Sequence, residues 1–256
     1  MGTDVLGAEW IKLRSVRSTY LSLAAAAALV VVVALSVATT TAENWPTMTV
    51  RDRSAFDPVS APLFGAIFAQ LVIGVLGVLA VSSEYATGLI RTTFSTTPQR
   101  RKVLLAKVAV TAALALVAGT AILGVTFLLS QGIMAGGHGG VSLGDPGVLR
   151  AVAYAVLYLV IVTVLATSLG AIMRSTAGAI AVLFTLVFLL PQVLDHLPQD
   201  LRHDVMRFGL QRAVASAVSI RPQLDTFSPT VSILVCAAYA VVALALALFL
   251  IGRRDA

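Results

Sequence analysis

The sequence predicts an all-α integral membrane protein with six transmembrane helices. Three observations predict it. First, the chain is 58% hydrophobic and only 12% charged, whereas a soluble domain is about 45–50% apolar and about 25% charged. So few charges cannot cover a water-facing surface. Second, six stretches free of Asp, Glu, Lys and Arg reach twenty residues or more: 18–42, 58–83, 108–144, 151–173, 175–194 and 226–252. A helix needs roughly 20 apolar residues to cross about 30 Å of hydrocarbon. Third, the apolar runs are continuous rather than alternating, which selects helices over a barrel. Residues 1–256 read as one transmembrane domain, with spans at about 19–41, 60–83, 106–130, 151–173, 175–193 and 229–251.

The elements follow in order. In residues 3–17, Thr3 or Asp4 can cap a helix start, and Leu6, Trp10 and Leu13 then share one face. Lys12 and Arg14 lie off that face. Two readings stand: an interfacial helix with Trp10 at headgroup level and basic residues toward anionic lipid, or a basic flank that only sets orientation. The first span resembles a signal peptide with a cleavage site at Thr40-Thr41-Ala42. Its charge-free stretch is 25 residues long, beyond the usual 7–15 of such a segment, and an uncleaved span is expected.

The third span is expected to stop near Ser130, ahead of Gly136-Gly137-His138-Gly139-Gly140. An unbroken helix over 151–194 would be about twice as long as the bilayer core, so a tight hairpin is expected at Met173-Arg174-Ser175-Thr176. Pro191 is expected to kink the end of the fifth span. Leu201, Val205 and Phe208 share a helical face, which predicts an amphipathic helix there. Ala24, Ala28, Gly74, Gly77 and Gly170 are small residues at which helices can approach closely.

Lys and Arg set the orientation. With the N-terminus inside, inner segments hold eleven of them and outer segments seven, so both termini are expected in the cytoplasm. The net charge of +6 is thus a matter of topology and not a sign of nucleic acid. The excess of Arg over Lys, with abundant Ala and Val, points to a bacterial protein of the cell membrane. Cys236 is the single cysteine, so no internal disulfide forms. His196 and His203 stand near Asp195, Asp200 and Asp204 without a zinc-type spacing. No span carries an ionisable residue at its middle, which argues against ion-coupled transport. The same absence argues against an intramembrane hydrolase. There is no GxxxxGK[ST] phosphate-binding loop. No catalytic residue, metal site or bound cofactor is expected in this chain.

The most informative stretch is 84–107, between the second and third spans. Leu89, Ile90 and Phe94 fit an apolar patch on a short helix that Pro98 would end. Spacing alone favours a solvated basic loop that helps set topology. Glu84, Gly88, Pro98, Arg100, Arg101 and Lys107 match, in order and spacing, the same region of ABC type-2 exporter permeases, which the chain resembles. Glu9-Trp10-Ile11-Lys12-Leu13-Arg14-Ser15 resembles the amphipathic helix such permeases carry before span one. The chain departs from the family at Leu89, where threonine often follows the glycine.

The resemblance implies a coupling helix over 84–102. It would dock on a separate ABC ATP-binding subunit, which would hold the ATP and magnesium. The implied docking residues are Glu84, Gly88, Leu89, Ile90, Arg91, Phe94, Pro98, Arg100, Arg101 and Lys107, beside an interfacial helix carrying Trp10, Lys12 and Arg14. It implies a second permease chain, identical or related, and pairing of Glu84 with an arginine such as Arg91. Arg100 and Arg101 would meet acidic residues of the ATPase or anionic lipid. The expected function is export of an amphipathic or lipid-like substrate. A non-transporting membrane scaffold that recruits a cytosolic partner uses the same loop and remains the alternative. A membrane enzyme built on 195–225 is a third reading.

Overall fold

A computed structural model of the chain describes residues 2–90, 93, 99–136, 139–196, 205–221 and 226–253. The described residues are mostly helical, with no strand among them. The helices are α1 (Gly2–Ser15), α2 (Arg17–Asn44), α3 (Val50–Ala55), α4 (Ala66–Ala86), α5 (Arg100–Met134), α6 (Val148–Met173), α7 (Thr176–Phe184), α8 (Leu190–Asp195), α9 (Leu210–Val218) and α10 (Pro229–Arg253). Six helical stretches are long and apolar enough to cross a membrane: Arg17–Thr47, Pro62–Ala86, Arg100–Met134, Val148–Met173, Thr176–Leu194 and Pro229–Arg253. These are the six expected spans. Only their ends differ, as where α5 runs on to Met134 before Gly136 turns the chain with φ +84°.

Helix α6 is the axis of the bundle. Its apolar stretch is 72% buried, against 17–44% for the other spans, and it packs on α4, α5, α7, α9 and α10. Its buried Thr163, Thr167 and Ser168 hydroxyls do not break the apolar core, because each returns a hydrogen bond to its own helix. Thr163 donates to Leu159 O at 2.8 Å, Thr167 to Thr163 O at 2.8 Å and Ser168 to Val164 O at 2.7 Å. The α4–α6 crossing is a backbone contact. A Cβ on Gly170 would lie 2.9 Å from Val78 O, and one on Gly77 3.1 Å from Thr163 O. These glycines act as the sequence predicts. Ala24 and Ala28 do not: both face outward, and the buried stripe of α2 is Ala26, Val30, Ala34 and Ala38. A helix apolar on every side gives no periodic signal to tell its faces apart.

The hairpin after α6 forms as expected. Arg174 takes a left-handed conformation (φ 51°) and Ser175 caps α7 by accepting from Gly178 N–H. The bend at Pro191 takes the form of a π-helical turn over Thr185–Leu189. Proline has no N–H to donate, and its ring crowds the carbonyl four residues back, so the preceding turn widens.

The first four residues of the helix predicted on Leu201, Val205 and Phe208 lie outside the described residues, as do His203, Asp200 and Asp204. Val205 and Phe208 are exposed. The amphipathic helix of this region is α9, whose Leu210, Ala213, Ser216 and Ala217 are buried against α10 and α6. It forms part of the bundle wall.

Both described chain ends lie at one end of the bundle, because α1 packs on α5 and Ile251 of α10 clusters with Val103 and Leu104 of α5. The opposite end is tied by Asp57. Its Oδ1 accepts from Val59 N and Ser60 N, both at 2.9 Å. Its Oδ2 accepts from the Ser219 hydroxyl and from Ile220 N at 2.9 Å. One carboxylate thus joins the start of the second span to the exit of α9. Nearby, Gln131 donates to Pro58 O and accepts from Val141 N, each at 2.8 Å.

Two predictions follow from this packing. Gly170→Ala is expected to lower stability by about 1–3 kcal/mol, the usual cost of overpacking. Gly124→Ala, where a Cβ meets nothing within 4 Å, should be neutral or stabilising by up to about 1 kcal/mol. Thermal unfolding in detergent distinguishes them, and equal Tm values would refute the close crossing. Burial raises the Asp57 carboxyl, but the Ser219 hydroxyl and the amides of Ser60, Val59 and Ile220 outweigh it and hold the pKa below the ordinary value. Its contribution is therefore complete above the unfolded value of about 3.9 and is lost as pH falls through the folded value. The Tm advantage of the native chain over Asp57→Asn should shrink on acidification from about pH 6 to about pH 3.

Candidate functional site: a buried ion cluster beside the 87–99 connection

At 35 residues, α5 is about 52 Å long, well beyond the hydrocarbon thickness of about 30 Å. Its first two turns hold Arg100, Arg101, Lys102 and Lys107. Lys107 nevertheless points into the bundle and is 3% exposed. Its ammonium donates to Glu84 Oε1 at 2.7 Å, to Glu9 Oε2 at 2.7 Å and to Ala80 O at 3.3 Å. An ammonium has three N–H donors, and all three are used. Lys12 closes the ring, donating to Glu9 Oε1 at 2.9 Å and Glu84 Oε1 at 2.8 Å.

Two carboxylates and two ammonium groups balance. Each element contributes for a local reason. Glu9 and Lys12 lie one turn apart on α1, so both reach the same side. Glu84 lies in the last turn of α4, where a helix end would ordinarily favour a cation, and it is held there by two lysines. Burial lowers the Lys12 pKa, but the hydrogen bonds it donates to Glu84 and Glu9 outweigh this, so the net pKa lies above its ordinary value. Glu84 Oε2 is buried with no hydrogen-bond partner among the described residues.

The residues expected at this site divide. Glu84, Lys107 and Lys12 come together. Lys12 was expected to face anionic lipid; it reaches inward instead, because its long stem spans from the exposed side of α1 to the carboxylates. The lysines, rather than an arginine, are the partners of Glu84 seen here, and Arg91 lies outside the described residues. Glu9 is the member that sequence reasoning missed, although an acid three residues before a lysine in a basic flank was a legible signal. Trp10 and Arg14 are exposed on α1, away from the cluster.

The connection beyond α4 begins with Gly88 at φ +74°, a backbone region that side chains rarely adopt. Leu89 and Ile90 do not form one patch: Leu89 is 57% exposed, while Ile90 is 5% exposed and packs with Val103 and Leu104. Phe94 and Pro98 lie outside the described residues. Arg100 is half-buried, and Arg101 lies against Gly252 at the end of α10. Arg174, in the α6–α7 turn, stacks its guanidinium 5.2 Å from the Tyr85 ring centre, so this turn belongs to the same end of the bundle.

The fold and this site define a six-helix, all-α bundle of membrane type, with a buried charge-balanced cluster under one connection. The family model described as "Protein of unknown function (DUF2705)" matches residues 52–256, and the chain belongs to that family. The matched region includes Glu84 and Lys107 but begins after α1. No curated protein matches the chain.

Removing one partner of a buried ion pair costs about 3–5 kcal/mol. Lys107→Met should therefore destabilise by about that much, since it leaves two buried carboxylates to one half-exposed lysine. Adding Glu84→Gln should restore most of the loss by leaving the Glu9–Lys12 pair neutral. Thermal unfolding of the single and double variants measures the coupling, and strictly additive effects would exclude a shared cluster.

Proposed function

We propose that the chain is the permease subunit of an ATP-driven ABC type-2 exporter in the bacterial cell membrane, with both termini in the cytoplasm. It moves an amphipathic or lipid-like substrate, together with a second permease chain and a separate ATP-binding subunit that hydrolyses the ATP. Residues 84–102 act as the coupling element and α1 as the interfacial helix.

The observation that carries this reading is the ion cluster. Glu84 ends the helix before the 87–99 connection, Lys107 lies two turns into the helix after it, and Glu9 and Lys12 belong to α1. Ion pairs bind these three elements into one unit. A force applied to the connection would move α4 and α5 together, and would not be absorbed by bending of the loop. Ile90, anchored on Val103 and Leu104, stiffens the start of the connection in the same way. The exposed Leu89 and the basic residues Arg100 and Arg101 suit contact with an acidic, partly apolar groove.

The test is a mild-detergent purification of the tagged chain from its native membrane, with mass spectrometry of what accompanies it. A stoichiometric cytosolic ATPase is expected, and scrambling residues 89–101 should abolish its recovery. The Glu84→Gln/Lys107→Met variant should retain the ATPase but lose coupling between ATP hydrolysis and transport. Recovery of the folded chain alone, or with a partner that is not an ATPase, would sink the export reading and favour the scaffold.

A further inference from the structure

A cleft of about 510 Å³ opens between α2, the segment before α4, α4 itself, α6 and α9. It lies on the side of the bundle near Asp57, away from the ion cluster. Its walls are apolar, formed by residues such as Val37, Phe64, Ile67 and Val214, and no charged side chain among the described residues lines it. Four polar side chains do: Ser60 at the rim, and Gln70, Tyr158 and Gln211. Gln70 Oε1, the Tyr158 hydroxyl and Gln211 Nε2 are each shielded from solvent and have no hydrogen-bond partner among the described residues. Gln70 and Tyr158 are 3% and 4% exposed.

Leaving one such group unpaired costs about 1–3 kcal/mol, and native proteins leave few of them. Three on the walls of one cleft form a set: an acceptor, a hydroxyl that both donates and accepts, and a donor. A pocket that is mostly apolar with a few convergent polar groups is the usual form of a small-molecule site. The uncharged lining among the described residues selects the ligand. A phosphate or carboxylate head would enter without a counter-charge, at a high desolvation cost. An uncharged head with hydroxyl and ester oxygens would match all three groups.

We infer that this cleft binds an uncharged amphipathic lipid from the surrounding bilayer, of the diacylglycerol type. Its hydroxyl and ester head pairs with Gln70, Tyr158 and Gln211, whose shielded polar atoms turn into the cleft on binding, and a hydrocarbon chain lies along the apolar wall. The inference deepens the export reading by naming a substrate class. Binding itself needs no ATPase, so the two can fail separately.

The experiment uses the full chain purified in detergent without an ATPase. It is photolabelled with a diazirine-bearing diacylglycerol and, in parallel, with a diazirine-bearing phosphatidylglycerol. Labelling by the neutral probe is expected to concentrate on peptides containing residues 60–70 and 211–218 and to exceed the anionic probe there by about tenfold. Tyr158→Phe should reduce it by about fivefold to tenfold, the effect of one buried hydrogen bond. The same variant should leave the Tm of the lipid-free chain unchanged or raise it, since it removes only an unpaired hydroxyl. Val214→Trp should block the site, whereas Val242→Trp, on the exposed side of α10, should not.

Equal labelling by both probes would overturn the inference. So would labelling that Val214→Trp leaves unchanged, or intermolecular adducts showing that a second copy covers the cleft. Labelling that persists where no ATPase co-purifies would keep the site and remove the export reading. An ATPase with no localised labelling would do the reverse.

Discussion

An ammonium buried at Lys107 has to be neutralised, and the arrangement of one whole end of the molecule depends on that. Its three donors are met by carboxylates from two different helices and by a carbonyl from a third turn. Meeting them requires α4 to end where Glu84 can reach. It also requires α1, joined to the bundle through a single residue at Val16, to fold back until Glu9 faces α5. Buried ion pairs add little net stability compared with apolar packing of the same volume. Their effect here is on arrangement: with α1 elsewhere, the Glu9–Lys12 and Glu84–Lys107 pairs persist, but the contacts of Glu9 with Lys107 and of Lys12 with Glu84 are lost.

The opposite end solves the same polar problem with a different chemistry. Among the described residues Asp57 has no basic hydrogen-bond partner; backbone N–H groups and one hydroxyl satisfy it. Gln131 does likewise with a carbonyl and an amide. Between the two ends, α4 and α6 meet at glycines and at threonines whose hydroxyls are turned onto their own helices. Fit between backbones holds this middle layer together, as it must where lipid offers no hydrophobic driving force for association. The bundle is thus fastened at both ends and close-packed along its axis. The cleft beside α9 is an exception, with polar groups that the chain itself does not satisfy.

The six spans were legible because charge-free length is a one-dimensional property. The hairpin at Arg174 was legible for the same reason: a helix that long does not fit a bilayer. Packing faces were not. In α2 the choice between Ala24/Ala28 and Ala26/Val30 depends on neighbours, and an all-apolar helix leaves no mark of it. Leu89 and Ile90 are adjacent and chemically alike, yet one is exposed and the other is in the core. Adjacent side chains point in different directions, and the difference comes from where α5 lies, since it covers only Ile90. Of the site, Glu84, Lys107 and Lys12 were readable as charges of interest. That they form one cluster was not, since 72 residues separate Lys12 from Glu84 and 98 separate Glu9 from Lys107.

By itself the sequence determined the class and the number of helices long and apolar enough to cross a membrane, though not their exact ends, because hydrocarbon thickness and the cost of charge in lipid act on each segment alone. Tertiary structure decided which charges meet, which faces are covered and where unpaired polar groups converge. Those outcomes depend on distances of a few ångströms between segments far apart in the chain. Gln70, Tyr158 and Gln211 show the difference: three ordinary residues on three separate helices, made into one feature only by how those helices pack.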